Sequence, residues 1–137
     1  MSQIIQPAQV DFCKCNGLAI YKGSFWAVPV IVSSRVNLTD TPIDLTGYTG
    51  RCVIKKHLND ANPVAEPDVE ISTEQTGLFT ISLGSNLSQN IPTEGDKYCE
   101  PTIYQYEVRL IDSVSQEEYR ALYGNIEVIP SAIDSDD

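Results

Sequence analysis

The chain is predicted to be all-β, a single antiparallel sandwich, on three observations. Short runs of alternating apolar and polar residues recur about every eight to twelve positions. Clusters of Gly, Pro, Asn and Asp separate the runs. No window carries an apolar helical stripe longer than about two turns. Residues 23–130 are assigned to the sandwich, 1–22 to an N-terminal arm and hairpin, and 131–137 to an acidic tail.

The arm begins with the polar stretch Ser2–Gln9, which holds one proline. Ile4, Ile5 and Val10 are too few to build a core and too apolar for a solvated tail. They are expected to order by adding a strand to a partner's sheet edge, leaving the arm loose in the isolated chain. Val10-Asp-Phe-Cys-Lys-Cys15 alternates, Asn16-Gly17 is a strong hairpin turn, and Leu18–Lys22 alternates again. A hairpin is therefore expected across Val10–Lys22.

Ser24–Ser33 places Phe25, Ala27, Pro29 and Ile31 on one face and Trp26, Val28, Val30 and Val32 on the other. Apolar residues on both faces imply a strand covered on both sides, yet Pro29 removes a ladder hydrogen bond. An edge strand, or one whose outer face a neighbouring subunit covers, satisfies both conditions. Trp26 is the expected interface residue of this strand, since tryptophan is enriched at binding hot spots.

The stretch Thr41–Lys56 is the most structured in sequence terms. Pro42 marks a turn entry, Ile43 and Leu45 alternate with Asp44 and Thr46, and Gly47 and Gly50 bracket a bend at Tyr48. Gly47 is expected to need a positive φ or close backbone packing. Beyond the bend Cys52 and Ile54 share one face, with Arg51, Val53 and Lys55 on the other.

Asn59–Pro63 is a dense turn cluster. Val69–Ser72 and Leu78–Leu83 form an expected hairpin around Glu74–Gly77, Ser85–Asn90 one helical turn, and Thr93–Thr102 a loop. Ile103–Ile111 puts Tyr104, Tyr106, Val108 and Leu110 toward the core and Gln105, Glu107 and Arg109 outside. Tyr119–Tyr123 and Asn125–Ile129 close the sheet around a turn at Gly124.

Four of these stretches carry a resemblance. Thr41-Pro-Ile-Asp-Leu-Thr-Gly-Tyr-Thr49, Gly77–Leu83, Tyr104–Asp112 and Leu122–Pro130 are similar, in that order, to segments of a small β-sandwich domain of tailed-bacteriophage virion proteins. The resemblance spans roughly Gly23 to Pro130 and implies an immunoglobulin-like sandwich in a tail, baseplate or fibre-attachment component. It implies other virion proteins as partners, homo-oligomers in the assembled particle, and a virion location after folding in the host cytoplasm. A head decoration protein and a carbohydrate- or receptor-binding module, the latter contacting host-surface glycan, are the alternatives. The arm, with Cys13-Lys-Cys15, and the stretch Asp96–Pro101 lie outside the resemblance.

Composition narrows the chemistry. One domain accommodates 137 residues, and no apolar run approaches a bilayer span. A net charge of −10, from 9 basic and 19 acidic side chains, argues against nucleic acid as a partner. The single histidine, His57, follows Lys55-Lys56, and there is no nucleophile elbow, phosphate loop or paired metal-ligand motif. No enzymatic activity, cofactor or metal is expected. The cysteines at 13, 15, 52 and 99 lack a second knuckle for zinc. They are expected to be free and mostly buried thiols. Trp26, Tyr98, Tyr104, Tyr106, Tyr119 and Tyr123 are the candidates for a sugar-stacking platform, with Tyr104 and Tyr106 assigned instead to the core.

Overall fold

The structure, a computed structural model, describes residues 5–36 and 39–133. In chain order the strands are β1 (Ala8–Gln9), β2 (Ile20–Tyr21), β3 (Trp26–Ile31), β4 (Ser33–Val36), β5 (Thr39–Pro42), β6 (Tyr48–Lys55), β7 (Asp68–Ile71), β8 (Leu78–Leu83), β9 (Thr102–Asp112) and β10 (Glu118–Ile129). The helix α1 (Ser85–Gln89) is short, and the fold is all-β in character. β6, β9 and β10 form an antiparallel sheet in the order β10-β9-β6, and β3, β8 and β7 form a second antiparallel sheet in that order. β4 and β5 pair as a small hairpin that the alternation rule did not reveal.

Alternation explains which side of each strand is buried. Cys52 and Ile54 of β6 join Tyr104, Tyr106, Val108 and Leu110 of β9 in one core. Trp26 and Val28 of β3 and Phe79, Ile81 and Leu83 of β8 complete it from the other sheet. The β7–β8 hairpin, the helical turn at 85–89 and the loop before β9 lie where the pattern placed them. The strand with Pro29 is an edge strand, as the missing N–H requires.

The N-terminal hairpin is not formed. β1 pairs in parallel with β10 (Ala8 opposite Leu122), Phe12 bridges Ile126, and β2 pairs in parallel with the end of β10 (Ile20 opposite Val128). Asn16-Gly17 does turn, but as the close of a 3₁₀ turn at Lys14–Asn16, with Gly17 at φ 76°. The turn is an excursion between two segments that both return to one edge of β10. The sheet that contains β10 is therefore mixed and not purely antiparallel. The expectation of a loose arm is corrected for residues 5–10, because Ile5 is 4% exposed and belongs to the main core. Asp11 and Asn16 fix the excursion. Asp11 Oδ1 accepts from the Asn125 N–H at 3.0 Å, and Asn16 Oδ1 accepts from the Cys13 N–H at 3.1 Å.

The four expected turn residues divide. Gly47 sits at φ 83° in a tight turn closed by the Tyr48 N–H to the Leu45 carbonyl, 3.0 Å. Pro42 instead ends β5, paired with Ser33. Gly50 lies inside β6, where a Cβ would come within 2.3 Å of Val69 Cγ1. Gly124 is in the middle of β10, because Val10 crosses over it. A Cβ there would meet the Val10 carbonyl oxygen at 2.5 Å. These last three are corrections: the Val69 side chain leaves no room for a Cβ at Gly50, and the Val10 backbone leaves none at Gly124.

Candidate interaction surfaces

The outer face of β3 is apolar along its whole length. Trp26 and Val28 point into the core, so Phe25, Ala27, Pro29 and Ile31 point to solvent, Phe25 at 69% and Ile31 at 53% exposure. Next to this row, β8 offers half-buried Thr80 and Ser82, and β7 offers exposed Asp68 and Glu70. The face thus grades from an apolar edge to an acidic one. The outward edge of β3 has no neighbouring strand among the described residues.

Of the expected interface residues, Ile4 lies outside the described residues. Ile5 is buried, and Val10 is half-buried with its carbonyl accepting from the Tyr106 hydroxyl at 2.5 Å. Trp26 is only 6% exposed, its indole N–H donating to the Leu18 carbonyl at 2.9 Å and its ring meeting Phe12 edge-on at 5.7 Å. Its face is the inner one; the exposed aromatic of this strand is its neighbour Phe25. Both faces of Ser24–Ser33 are apolar, so alternation alone had no means of choosing between them.

The aromatic candidates do not assemble into a platform. Tyr104 and Tyr106 are buried in the core, as assigned, with hydroxyls donating to the Pro92 and Val10 carbonyls. Burial pushes both phenols above their ordinary range, with Glu94 adding to the effect at Tyr104. Tyr119 and Tyr123 are half-buried and Tyr98 is exposed on the loop before β9.

The cysteines correct the expectation of four free thiols. Cys13 and Cys15 are joined by a disulfide across Lys14. The 3₁₀ turn swings the two side chains together, which an extended strand would not do. Cys52 is a free buried thiol pushed up to about 12 by burial, and Cys99 is free and exposed. Among the described residues no three His, Cys, Asp or Glu side chains converge as metal ligands. His57 is exposed, its backbone N–H donating to Asp60 Oδ2 at 3.0 Å.

The outer face of the β10-β9-β6 sheet holds a shallow groove of about 480 Å³. Leu58, Ala61 and Pro63, from the connection between β6 and β7, line one side of it. Its floor carries Arg51, Arg109 and Arg120, which stand directly opposite one another on three adjacent strands. This row is absent from any local pattern, because strand register alone creates it. Glu107 lies between two of its members, with Oε2 2.5 Å from Arg109 Nε and Oε1 3.0 Å from Arg120 Nε. Arg109 also reaches Glu118 at 3.6 Å, and Arg51 reaches Glu66 at 3.1 Å.

Compared with known protein families and with curated proteins, the chain matches none.

Proposed function

We propose that this chain is a non-enzymatic building block of a tailed-bacteriophage virion, an immunoglobulin-like sandwich acting as an assembly or adaptor module in the tail, baseplate or fibre-attachment region. The observation that carries the assembly reading is the row Phe25, Ala27, Pro29 and Ile31 on the outside of an edge strand. Such a row, left in water, forfeits the burial of one large aromatic and one large aliphatic side chain. A partner that covers it recovers that free energy and shields the open edge. The phage assignment rests on the four similar stretches, three of which fall on β8, β9 and β10, while Thr41–Thr49 leads from the end of β5 into β6. The net charge of −10 keeps unassembled copies apart and soluble.

The test is a Phe25→Ser, Ile31→Ser double variant. Both side chains are exposed, so the isolated chain should keep its thermal midpoint, while incorporation into particles should fall. Normal incorporation would refute the role of this face. Copy number per particle separates the tail from the head: a small multiple of three or six supports the tail, and hundreds of copies would support a decoration protein instead. Binding of the isolated chain on a glycan array would favour the receptor-binding alternative.

A further inference from the structure

The arginine row has features that ordinary sheet surfaces avoid. Like charges directly opposite one another on neighbouring strands destabilise a sheet. The chain has only four arginines, at 35, 51, 109 and 120, yet three of them occupy one register line across β6, β9 and β10. Arg109 and Arg120 are about half exposed and Arg51 about two-thirds. Lys55 adds a fourth positive charge on the same groove and has no ion-pair partner among the described residues. The local carboxylates engage Nε of Arg109 and Arg120, Nη1 of Arg109 and Nη2 of Arg51. Neither terminal amino group of Arg120 has a hydrogen-bond or ion-pair partner among the described residues. Guanidinium groups with free terminal N–H pairs are suited to bidentate capture of carboxylate.

The chain itself supplies a carboxylate segment, Asp134-Ser135-Asp136-Asp137. It cannot reach the row of its own molecule. Ile129 and Arg120 are nine positions apart on β10, about 30 Å along a strand. Ile133 stays at the Ile129 end, where its carbonyl accepts from Gln89 Nε2 at 3.4 Å and it lines a shallow recess with Tyr21 and Lys22. Four further residues span at most about 14 Å. A second copy has no such restriction.

We infer that the Arg51–Arg109–Arg120 row is a docking site for the acidic segment 134–137 of a second copy of this chain. The contact is head-to-tail: one copy gives its segment and offers its own groove to the next. Interfaces of this type propagate into rings or filaments, according to the rotation between neighbours. The site is separate from the β3 row and is independent of what covers Phe25.

The probe is a fluorescent peptide of residues 131–137, amidated at its C-terminus so that no terminal carboxylate contributes. It is titrated by fluorescence anisotropy against the full chain carrying Asp134→Asn, Asp136→Asn and Asp137→Asn, which removes the competing side-chain carboxylates of its own segment. Saturable binding should weaken at least about tenfold in an added Arg51→Gln, Arg120→Gln pair, the scale of losing a charge-assisted hydrogen bond. It should also weaken with rising salt. A peptide with its aspartates changed to lysine should bind the Arg51→Glu, Arg120→Glu chain better than the wild-type groove. Phe25→Ser, Ile31→Ser should leave peptide binding unchanged, so failure here and failure of the assembly reading remain distinct. No saturable binding, or binding indifferent to the arginine substitutions, overturns the proposal. Carbodiimide cross-linking of mixed ¹⁴N and ¹⁵N wild-type chains should join Lys55 to the 134–137 segment in mixed-isotope pairs. Cross-links found only within one chain would also overturn it.

Discussion

The hydroxyl of Tyr106, on β9, donates to the carbonyl of Val10 at 2.5 Å, tying the N-terminal segment to the sheet across 96 positions of sequence. Phe12, two residues on, stacks on the same tyrosine ring with centroids 4.7 Å apart. Residues 5–21 are thus a structural part of the domain. Tyr106→Phe should remove the donor and leave that carbonyl short of a partner, at a cost of about 1–3 kcal/mol in urea unfolding. An unchanged midpoint would mean that water replaces the tyrosine.

Truncation gives a larger effect. Removing residues 2–9 deletes buried Ile5 and the β1 pairing. Loss of a buried isoleucine side chain alone costs about 2–5 kcal/mol, so the thermal midpoint should drop by many degrees. A truncated chain as stable as the full one would show that the segment contributes little to the fold.

Two glycines should respond differently to alanine. At Gly47 the φ of 83° is unfavourable for a Cβ, but the nearest atom, Ser113 Oγ, is 3.6 Å away. Gly47→Ala should cost on the order of 1 kcal/mol. At Gly124 the same change drives a methyl into the Val10 carbonyl at 2.5 Å, a backbone atom that cannot step aside without breaking the pairing around it. Gly124→Ala should therefore be the more damaging of the two by equilibrium unfolding. The reverse order would disprove the crossing geometry.

Alkaline pH should destabilise the chain. Burial raises the folded-state pKa of Cys52 to about 12 and raises Tyr106 and Tyr104 as well. Between the unfolded thiol value of about 8.5 and that folded value, the unfolded chain binds fewer protons than the folded one. Stability then falls as pH rises. The full contribution is present below about pH 8.5 and is lost toward pH 12, with the tyrosines adding to the slope above about pH 10. Urea midpoints at pH 7, 9 and 11 measure it, and Cys52→Val should flatten part of the slope. In native protein at neutral pH, a thiol reagent should label Cys99 and spare Cys52.

Reduction of the Cys13–Cys15 bond should have a modest effect. The ring encloses one residue, so little chain entropy is removed from the unfolded state, and stabilisation of no more than about 2 kcal/mol is expected. Thermal midpoints with and without dithiothreitol, with mass measurement to confirm the added hydrogens, test this. Complete unfolding on reduction would show that the bond holds the excursion in place.

The strands with one wet face were legible in the sequence, because alternation reports burial directly. β6, β8 and β9 fall into this group. The parallel pairing of β1 and β2 was not, since its partner lies more than one hundred positions away and Asn16-Gly17 resembles a local hairpin turn. β4 and β5 carry mostly polar and charged residues and leave no periodic trace. The inward choice of Trp26 over Phe25 is decided by its contacts with Phe12 and Leu18, which belong to the segment that runs parallel to β10. The arginine row depends on the relative register of three strands, a quantity that no single stretch encodes.

The parallel course of the N-terminal segment along β10 sets how the molecule answers to force. The segment runs from the Leu122 end of β10 toward the Ile129 end, so Ala8 and Ile129 lie at opposite ends of one seam. Tension applied through them slides the strands along each other, instead of peeling them apart one rung at a time. The bonds Val10 to Tyr123, Phe12 to Asn125, Glu127 to Phe12 and Lys22 to Ile129 then share the load and must break nearly together. A chain stitched in this way resists stretching far better than its equilibrium stability suggests, because rupture under load follows the unfolding barrier.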